Sequence, residues 1–158
     1  MKSKNIDDNF LFNIDDYECV DELGLSSFGN AFIVKNKLTN KKYFSKSSKF
    51  NFDECQPDEF IKILNHDIKF PGILNFIGYS PINYFHKSNP TILFDYLPNG
   101  SLLKYLEDKK QEDLSTTDYI LILGIAIGLK HLHDNEIIPI DLHPNNILID
   151  DNFYPVIS

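Results

Sequence analysis

Three strand-like segments near the N-terminus constrain the fold of this chain more than any other feature. Residues 17–20, 31–34 and 42–46 are rich in aromatic and β-branched side chains, and turn-forming residues cluster between them at 24–30 and 36–40. Strand formers separated by such turns are typical of hairpins. Because hairpin connections join neighbouring antiparallel strands without a crossover, we predict an antiparallel meander over residues 17–46.

Two further strands and one helix complete the predicted N-terminal region. Residues 57–68 have helical spacing, with Pro57 in the first turn and the acidic residues Asp58 and Glu59 near the positive end of the helix dipole. Residues 73–79 and 91–96 are again strand-like. We therefore predict a small five-stranded antiparallel sheet with one helix, preceded by an N-terminal extension at residues 1–16.

The second half of the chain changes to helical patterns. Ser101 is placed to cap a short helix that ends near Glu107, and Ser115 with Asp118 forms a capping-box pattern at the start of a long helix ending near Asn135. Residues 120–129 are almost all apolar, so we expect this helix to be buried on most faces. The sequence predicts an α+β fold, with a sheet lobe at residues 17–96 and the start of a helical lobe at 97–158.

Composition argues against several classes of function. The length of 158 residues suits one domain, and the formal net charge of −8 argues against binding to nucleic acid. The longest apolar run, residues 119–129, is too short to span a bilayer, and we expect a soluble, cytoplasmic protein. Cys19 and Cys55 form no Cys-x-x-Cys pair, which leaves a zinc or redox motif unsupported and favours two buried thiols.

A glycine-containing turn and a lysine suggest a site for phosphate. Gly24 and Gly29 lie between the first two strands, where glycines let the backbone approach a phosphate closely and point amides at it. Lys46 ends the third strand, in register behind this turn. An ordinary hairpin turn and a solvated lysine are the alternative interpretation.

Two later segments carry more specific patterns. Residues 91–102 combine a strand, a Pro-Asn-Gly turn and a Ser-Leu helix start, and residues 137–150 place Asp, Pro and Asn directly before an Ile-Leu-Ile strand. These segments resemble the hinge and the catalytic loop of eukaryotic protein kinases, and residues 23–31 resemble the glycine-rich loop of that family. The chain is similar over residues 17–158 to a protein kinase domain of the tyrosine-kinase-like group, up to the strand before the Asp-Phe-Gly motif.

The resemblance implies a set of site residues and cofactors. Asp141 would accept the proton of the substrate hydroxyl, His143 would stand beside the transferred phosphate, and Asn146 would hold a magnesium ion. The residues that would bind ATP are Leu23, Gly24, Ser26, Phe28, Gly29, Ala31, Lys46, Asp95 and Leu97. ATP and Mg²⁺ are the implied cofactors, and the implied partner is a protein substrate or partner protein.

The implied activity is ATP-dependent phosphorylation of protein Ser or Thr, with Tyr as the alternative acceptor. Phe44 stands where the family has a small Ala, and Phe60 where it has the glutamate that pairs with the lysine. Pro139 and Ile140 replace His-Arg, and His143 replaces Lys, so we expect little or no kinase activity. By the same resemblance, we expect the magnesium-binding Asp of the Asp-Phe-Gly motif to fall just after Ser158, outside this sequence.

Three alternatives to an active kinase are open. The first is a pseudokinase-type binding or scaffolding module without catalysis. The second is a truncated product that does not fold stably, because exposure of the apolar long helix would cause aggregation or recruit a partner. The third, which we disfavour, is a metal site that combines His131 or His133 with His143 and Asp141.

Overall fold

The computed structural model describes residues 10–25, 29–51, 70–109, 113–139 and 141–158. The chain divides into two compact units, Met1–Asp67 with Phe76–Tyr96, and Ile68–Asn75 with Leu97–Ser158. The helix predicted at residues 57–68, including Glu59 and Phe60, lies outside the described residues. So do Ser26, Phe28, Cys55 and Ile140.

The first unit is built on five strands. They are β1 (Tyr17–Leu25), β2 (Gly29–Asn36), β3 (Lys42–Ser48), β4 (Phe76–Ser80) and β5 (Thr91–Asp95). All neighbours pair antiparallel, in the order β1-β2-β3-β5-β4. The predicted meander over the first three strands and the five-stranded antiparallel sheet are therefore confirmed.

Side chains on the two faces of this sheet form two apolar clusters. Phe32, Val34 and Leu93 are at most 3% exposed and form one cluster. Ile92 and Tyr79 form the other. Since Ile92 and Leu93 are consecutive in β5, their side chains point to opposite faces, and the sheet has apolar packing on both.

The N-terminal extension docks against the β4 edge of the sheet. Leu11 forms a parallel bridge with Tyr79, and the Phe12 N–H donates to the Tyr79 carbonyl oxygen at 3.0 Å. A Cβ added at Gly78 would lie 2.5 Å from the Phe10 carbonyl oxygen, so the close approach requires glycine there. This contact protects an otherwise open sheet edge, and the sequence pattern did not reveal it.

Strand β4 begins at Phe76, three residues later than predicted. The preceding segment pairs elsewhere: the Leu74 N–H donates to the Ile157 carbonyl oxygen at 2.8 Å, and the Ile157 N–H donates to the Gly72 carbonyl oxygen at 2.9 Å. The backbone groups of this segment form their hydrogen bonds within the second unit. The strand-like run of residues 73–79 is therefore divided: its first part pairs next to Ile157, and its second part is β4, which pairs with β5.

The second unit contains helices α1 (Leu102–Asp108) and α2 (Thr116–Asp134) and the hairpin of β6 (Ile147–Ile149) and β7 (Pro155–Ile157). Ser101 caps α1 and Ser115 caps α2, each accepting a backbone N–H with its side-chain oxygen. The reciprocal bond from the Ser115 N–H to the Asp118 carboxylate completes the predicted capping box.

The Asp118 carboxylate joins the start of α2 to the segment that follows α1. It accepts hydrogen bonds from the Ser115 hydroxyl at 2.7 Å and from the Tyr105 hydroxyl at 3.3 Å, and it forms an ion pair with Lys109. The lysine and Ser115 hold the pKa of this carboxyl well below its ordinary value. The ionised form is therefore favoured in the folded chain.

This shift predicts an acid-sensitive stability. The carboxyl of Asp118 binds its proton more readily in the unfolded chain than in the folded chain. Its contribution to the free energy of unfolding is therefore complete above the ordinary pKa of about 4 and is lost as pH falls towards the lower pKa of the folded chain. We expect Asp118→Asn to lower the urea midpoint at pH 7 and to reduce the further loss between pH 5 and pH 3. Equal acid-induced losses in the two proteins would contradict this assignment.

Helix α2 is less buried than predicted. Gly124 and Gly128 face β7, where added Cβ atoms would lie 2.5 Å from Pro155 Cγ and 3.0 Å from Ile157 Cδ1. Large apolar residues elsewhere on the helix are 37–62% exposed, namely Tyr119, Ile120, Ile122, Leu123 and Ile127. The prediction of burial on most faces was therefore wrong for the described residues, because the helix packs closely only along its glycine side.

In the part of the chain described, no helix has the length and apolar content needed to cross a membrane.

Candidate functional site

Three of the predicted ATP-binding residues form a row across the sheet. Gly24 lies opposite Ala31, and Ala31 lies opposite Lys46. Side chains of directly opposed residues in an antiparallel sheet share a face, so strand pairing places the alanine and the lysine on one face beside the glycine backbone. Positions far apart in sequence are thereby brought into register.

The two glycines of the predicted loop are required for different reasons. Gly24 follows a register shift in β1 and has φ +98°, a conformation that side chains disfavour, with no atom within 4 Å of an added Cβ. A Cβ at Gly29 would instead lie 1.9 Å from the Ser47 carbonyl oxygen. Leu23, beside the shift, is 53% exposed. The structure describes only the two flanks of the loop, because Ser26 and Phe28 are outside the described residues.

An aromatic pair accompanies Lys46 on its face of the sheet. Phe44 precedes the lysine by two positions in β3, and Lys46 Nζ lies 5.4 Å from the centroid of the Phe44 ring. That ring is 6.2 Å from the ring of Phe94, its partner in β5. The large side chain noted at position 44 thus shares the face and the immediate surroundings of the lysine, where it forms a cation–π contact.

The predicted hinge residues belong to different units. In the first, Asp95 ends β5 and accepts a hydrogen bond from Lys41 Nζ at 3.0 Å, an ion pair that raises the pKa of Lys41. In the second, Leu97 is half-buried and precedes the turn at Gly100, whose φ is +75°. The Gly100 carbonyl oxygen accepts from the Ile149 N–H at 2.9 Å, which anchors this turn to β6.

The three residues predicted for the catalytic loop lie together. Asn146 Nδ2 donates to the Asp141 carbonyl oxygen at 2.9 Å and to Asp141 Oδ2 at 3.2 Å. His143 Nε2 lies 3.5 Å from Asp141 Oδ1 and 3.0 Å from Asn146 Nδ2. The Asp141 side chain is 58% exposed, so its carboxylate is accessible to a second molecule.

The β6–β7 hairpin holds this loop in place. The loop ends in a 3-10 turn, Pro144–Asn146. His143 caps this turn, because its Nδ1 accepts a hydrogen bond from the Asn145 N–H at 3.3 Å. The Asn146 carbonyl oxygen accepts from the Ser158 N–H at 2.9 Å and from the Ser158 hydroxyl at 3.1 Å. Sequence reasoning did not identify Ser158 as a support of the loop, because no local pattern indicates this contact.

The donor atoms of the loop fit magnesium better than zinc. The Asn146 amide nitrogen is turned towards Asp141, which leaves the amide oxygen as the atom available to a hard cation such as Mg²⁺. Among the described residues, no group of three His, Cys, Asp or Glu side chains is arranged to hold a metal ion. His131 instead stacks on Phe70, with ring centroids 4.1 Å apart and an interplanar angle of 11°.

Comparison with known proteins agrees with this arrangement. The family described as protein kinase domain matches residues 17–157. The human serine/threonine-protein kinase Nek5 is 30% identical over 144 residues, covering 88% of this chain and 20% of the relative. The Dictyostelium discoideum probable serine/threonine-protein kinase kinY is 28% identical over 165 residues, covering 95% of this chain and 28% of the relative. The chain thus spans less than a third of the length of either relative.

Proposed function

The chain belongs to the protein kinase domain family, and from that premise we propose that it binds ATP and transfers the γ-phosphoryl group to Ser or Thr of a protein. The names of the relatives support Ser/Thr as the acceptor. The hinge-like segment at residues 91–102 supports placement in the tyrosine-kinase-like group. We propose a low rate for this chain.

The observation that carries the proposal is the hydrogen bonding between Asn146 and Asp141. The Asn146 amide donates one bond to the Asp141 carboxylate and a second to the Asp141 backbone carbonyl oxygen, which orients the carboxylate while leaving it exposed. A carboxylate held in this way can accept the proton of an attacking hydroxyl, which is the role that the family assigns to this position. Asn146 therefore serves as a positioning residue for the base.

The same amide offers its oxygen to Mg²⁺. When bound, this ion would neutralise charge on the phosphates of ATP. Turning Asn146 Nδ2 towards Asp141 presents Oδ1 away from that bond, so one side chain can both orient the base and supply an oxygen ligand.

Nucleotide binding is proposed for the row of residues on the sheet. Lys46 would supply a positive charge to the phosphates, and the backbone at Gly24 and Gly29 would approach them closely. Ala31 would contact the adenine, and backbone groups of Asp95 and Leu97 would bind its polar edge. The alignment of Gly24, Ala31 and Lys46 in one register supports this assignment.

Two features support a low rate. His143 stands where the family has a lysine, and its Nδ1 accepts the Asn145 N–H. An imidazole is a weaker base than a lysine amine. The phosphate would therefore meet less positive charge than a lysine provides. The Phe44 ring beside Lys46 also occupies space on the face proposed for the nucleotide.

A binding module without catalysis is the second candidate. It is favoured by the Phe44–Phe94 pair, which places two large rings on the face that carries Lys46. In that case the chain would act by contact with a partner protein. A nucleotide-binding experiment separates the two candidates.

We expect ATP with Mg²⁺ to raise the melting temperature of the chain, because a ligand that binds only the folded state stabilises it by mass action. Lys46→Ala is expected to weaken ATP binding by roughly tenfold or more, the effect of losing one charge-assisted contact. Calorimetric titration measures the affinity. The matched control is Lys42→Ala, an exposed lysine of the same strand, which should change the affinity by less than about twofold. A wild-type chain that shows no shift at millimolar ATP would favour the binding module.

A further inference from the structure

A cavity of about 280 Å³ lies against the sheet face opposite to Lys46. Asn30 and Ser47 are directly opposed in β2 and β3 and both line it. Since Ser47 follows Lys46 in the strand, their side chains point to opposite faces. The cavity is therefore separate from the row proposed for ATP, and a ligand could bind there whether or not the chain is an active kinase.

The charge of this cavity differs from that of the chain. Among the described residues that line it are Lys49 and Lys87 and no acidic residue, although the chain as a whole has a net charge of −8. Neither lysine forms an ion pair with a carboxylate in the described part of the chain. Two ammonium groups without acidic partners favour an anion.

A neighbouring cavity of about 300 Å³ shows the opposite character. It shares the rings of Phe32 and Phe85 with the first, but its lining includes Asp15 and Glu22 together with Lys37. The two rings thus lie between a cavity whose described lining has no carboxylate and one whose lining includes two. This segregation of charge on a single sheet face singles out the first cavity as the one suited to an anion.

The loop that supplies one wall is held in a defined shape. Asn83 Oδ1 accepts from the Phe85 N–H at 2.9 Å and from the Lys87 N–H at 3.1 Å. The Tyr84 hydroxyl donates to Ser45 Oγ at 2.9 Å, which fixes the loop to the sheet. The bonds set the backbone that carries Phe85 and Lys87, so the wall is preorganised before any ligand arrives.

An exposed aromatic ring completes the cavity. Phe85 is 66% exposed, although its neighbour Tyr84 is anchored against Phe32 with ring centroids 5.6 Å apart. Packing against the sheet thus covers the Tyr84 ring but leaves most of the Phe85 ring exposed. A planar group stacked on that ring would bury its apolar surface beside the two ammonium groups.

We propose that this cavity binds a phosphate monoester carried by a planar aromatic group. The phosphate pairs with Lys49 and Lys87, and the aromatic group lies on Phe85. A phosphorylated tyrosine side chain and a nucleoside monophosphate both present this chemistry. The cavity volume approaches the lower end of the range for small-molecule sites, so it suits one such group rather than a large cofactor.

The test is a titration of the isotopically labelled chain with phenyl phosphate, followed by amide chemical shifts. We expect saturable shifts at Asn30, Lys49, Phe85 and Lys87, with weaker binding of inorganic phosphate and of benzyl alcohol. The double variant Lys49→Gln/Lys87→Gln should weaken binding at least tenfold. The control Lys42→Gln/Lys104→Gln removes the same charge from exposed positions outside the cavity lining and should change it by less than twofold.

Three results would overturn the proposal: no saturable shift at the cavity, wild-type affinity in the Lys49/Lys87 variant, or benzyl alcohol binding as tightly as phenyl phosphate. Parallel titrations with a phosphotyrosine peptide and with AMP identify the source of the ligand. Shifts at the four cavity amides support either source. If AMP shifts only the amides of Gly24, Ala31 and Lys46, AMP binds the face proposed for ATP and not this cavity. The titration with the phosphotyrosine peptide then supports or overturns the proposal.

Discussion

Replacing Asp141 with Asn is expected to lower phosphoryl transfer to a protein by roughly 10²- to 10⁴-fold, the usual contribution of a general base. The substitution keeps the size of the side chain and a carbonyl oxygen near Asn146 but removes the carboxylate that accepts the proton. Transfer of radiolabelled γ-phosphate from ATP to casein measures the rate. ATP affinity should be nearly unchanged, since Asp141 is proposed to act on the substrate hydroxyl.

Asp151→Asn is the matched control for this experiment. It removes one carboxylate from an exposed turn in the same unit and should leave the rate within about twofold of wild type. Equal rates in wild type and the Asp141 variant would contradict the assignment of the base. A wild-type chain that binds ATP but transfers no phosphate would instead favour the binding module.

Gly29→Ala is expected to destabilise the first unit by about 2 to 4 kcal/mol, a large effect for one methyl group. The added Cβ would lie 1.9 Å from the Ser47 carbonyl oxygen and 2.9 Å from the Lys49 backbone nitrogen. Both obstacles are backbone atoms of the neighbouring chain segment, so a side-chain rotation cannot relieve the clash. The end of the β2–β3 pair would have to separate, with loss of its hydrogen bonds. Urea unfolding measured by circular dichroism gives the change.

Gly24→Ala provides the contrast for this prediction. No atom lies within 4 Å of an added Cβ at Gly24, and only its φ of +98° opposes a side chain. We expect a smaller cost, about 1 to 2 kcal/mol. A larger loss at Gly24 than at Gly29 would show that backbone conformation, rather than the close approach of β3, dominates in this loop.

Most of the secondary structure could be predicted because its signals are local. Ser101 and Ser115 cap the helices at the predicted positions, since a cap needs only residues within one turn. The turn between β2 and β3 is likewise local: Asn36 Oδ1 accepts from the Leu38 and Thr39 N–H groups at 3.1 and 2.9 Å. Asp141, His143 and Asn146, which are close in sequence, also lie together in the structure, and their catalytic roles stay a prediction.

Burial was predicted less well because it depends on partners distant in sequence. Cys19 was expected to be buried, but it is exposed on β1, an edge strand of the sheet. The prediction used the average behaviour of cysteine, which does not include strand order. The apolar surface of α2 was misjudged for the same reason, because an apolar run indicates that a helix can be buried without identifying what covers it.

The sequence by itself determined the family, through a match over residues 17–157. It also determined the antiparallel meander and the spacing of Asp141, His143 and Asn146, since these depend on shorter stretches of chain. The tertiary structure alone decided which residues of the proposed ATP site share a face of the sheet. The sheet register aligns Gly24, Ala31 and Lys46, and it places Phe44 beside the lysine. Only long-range backbone pairing determines such neighbours, because a shift of one residue would move every side chain of a strand to the opposite face.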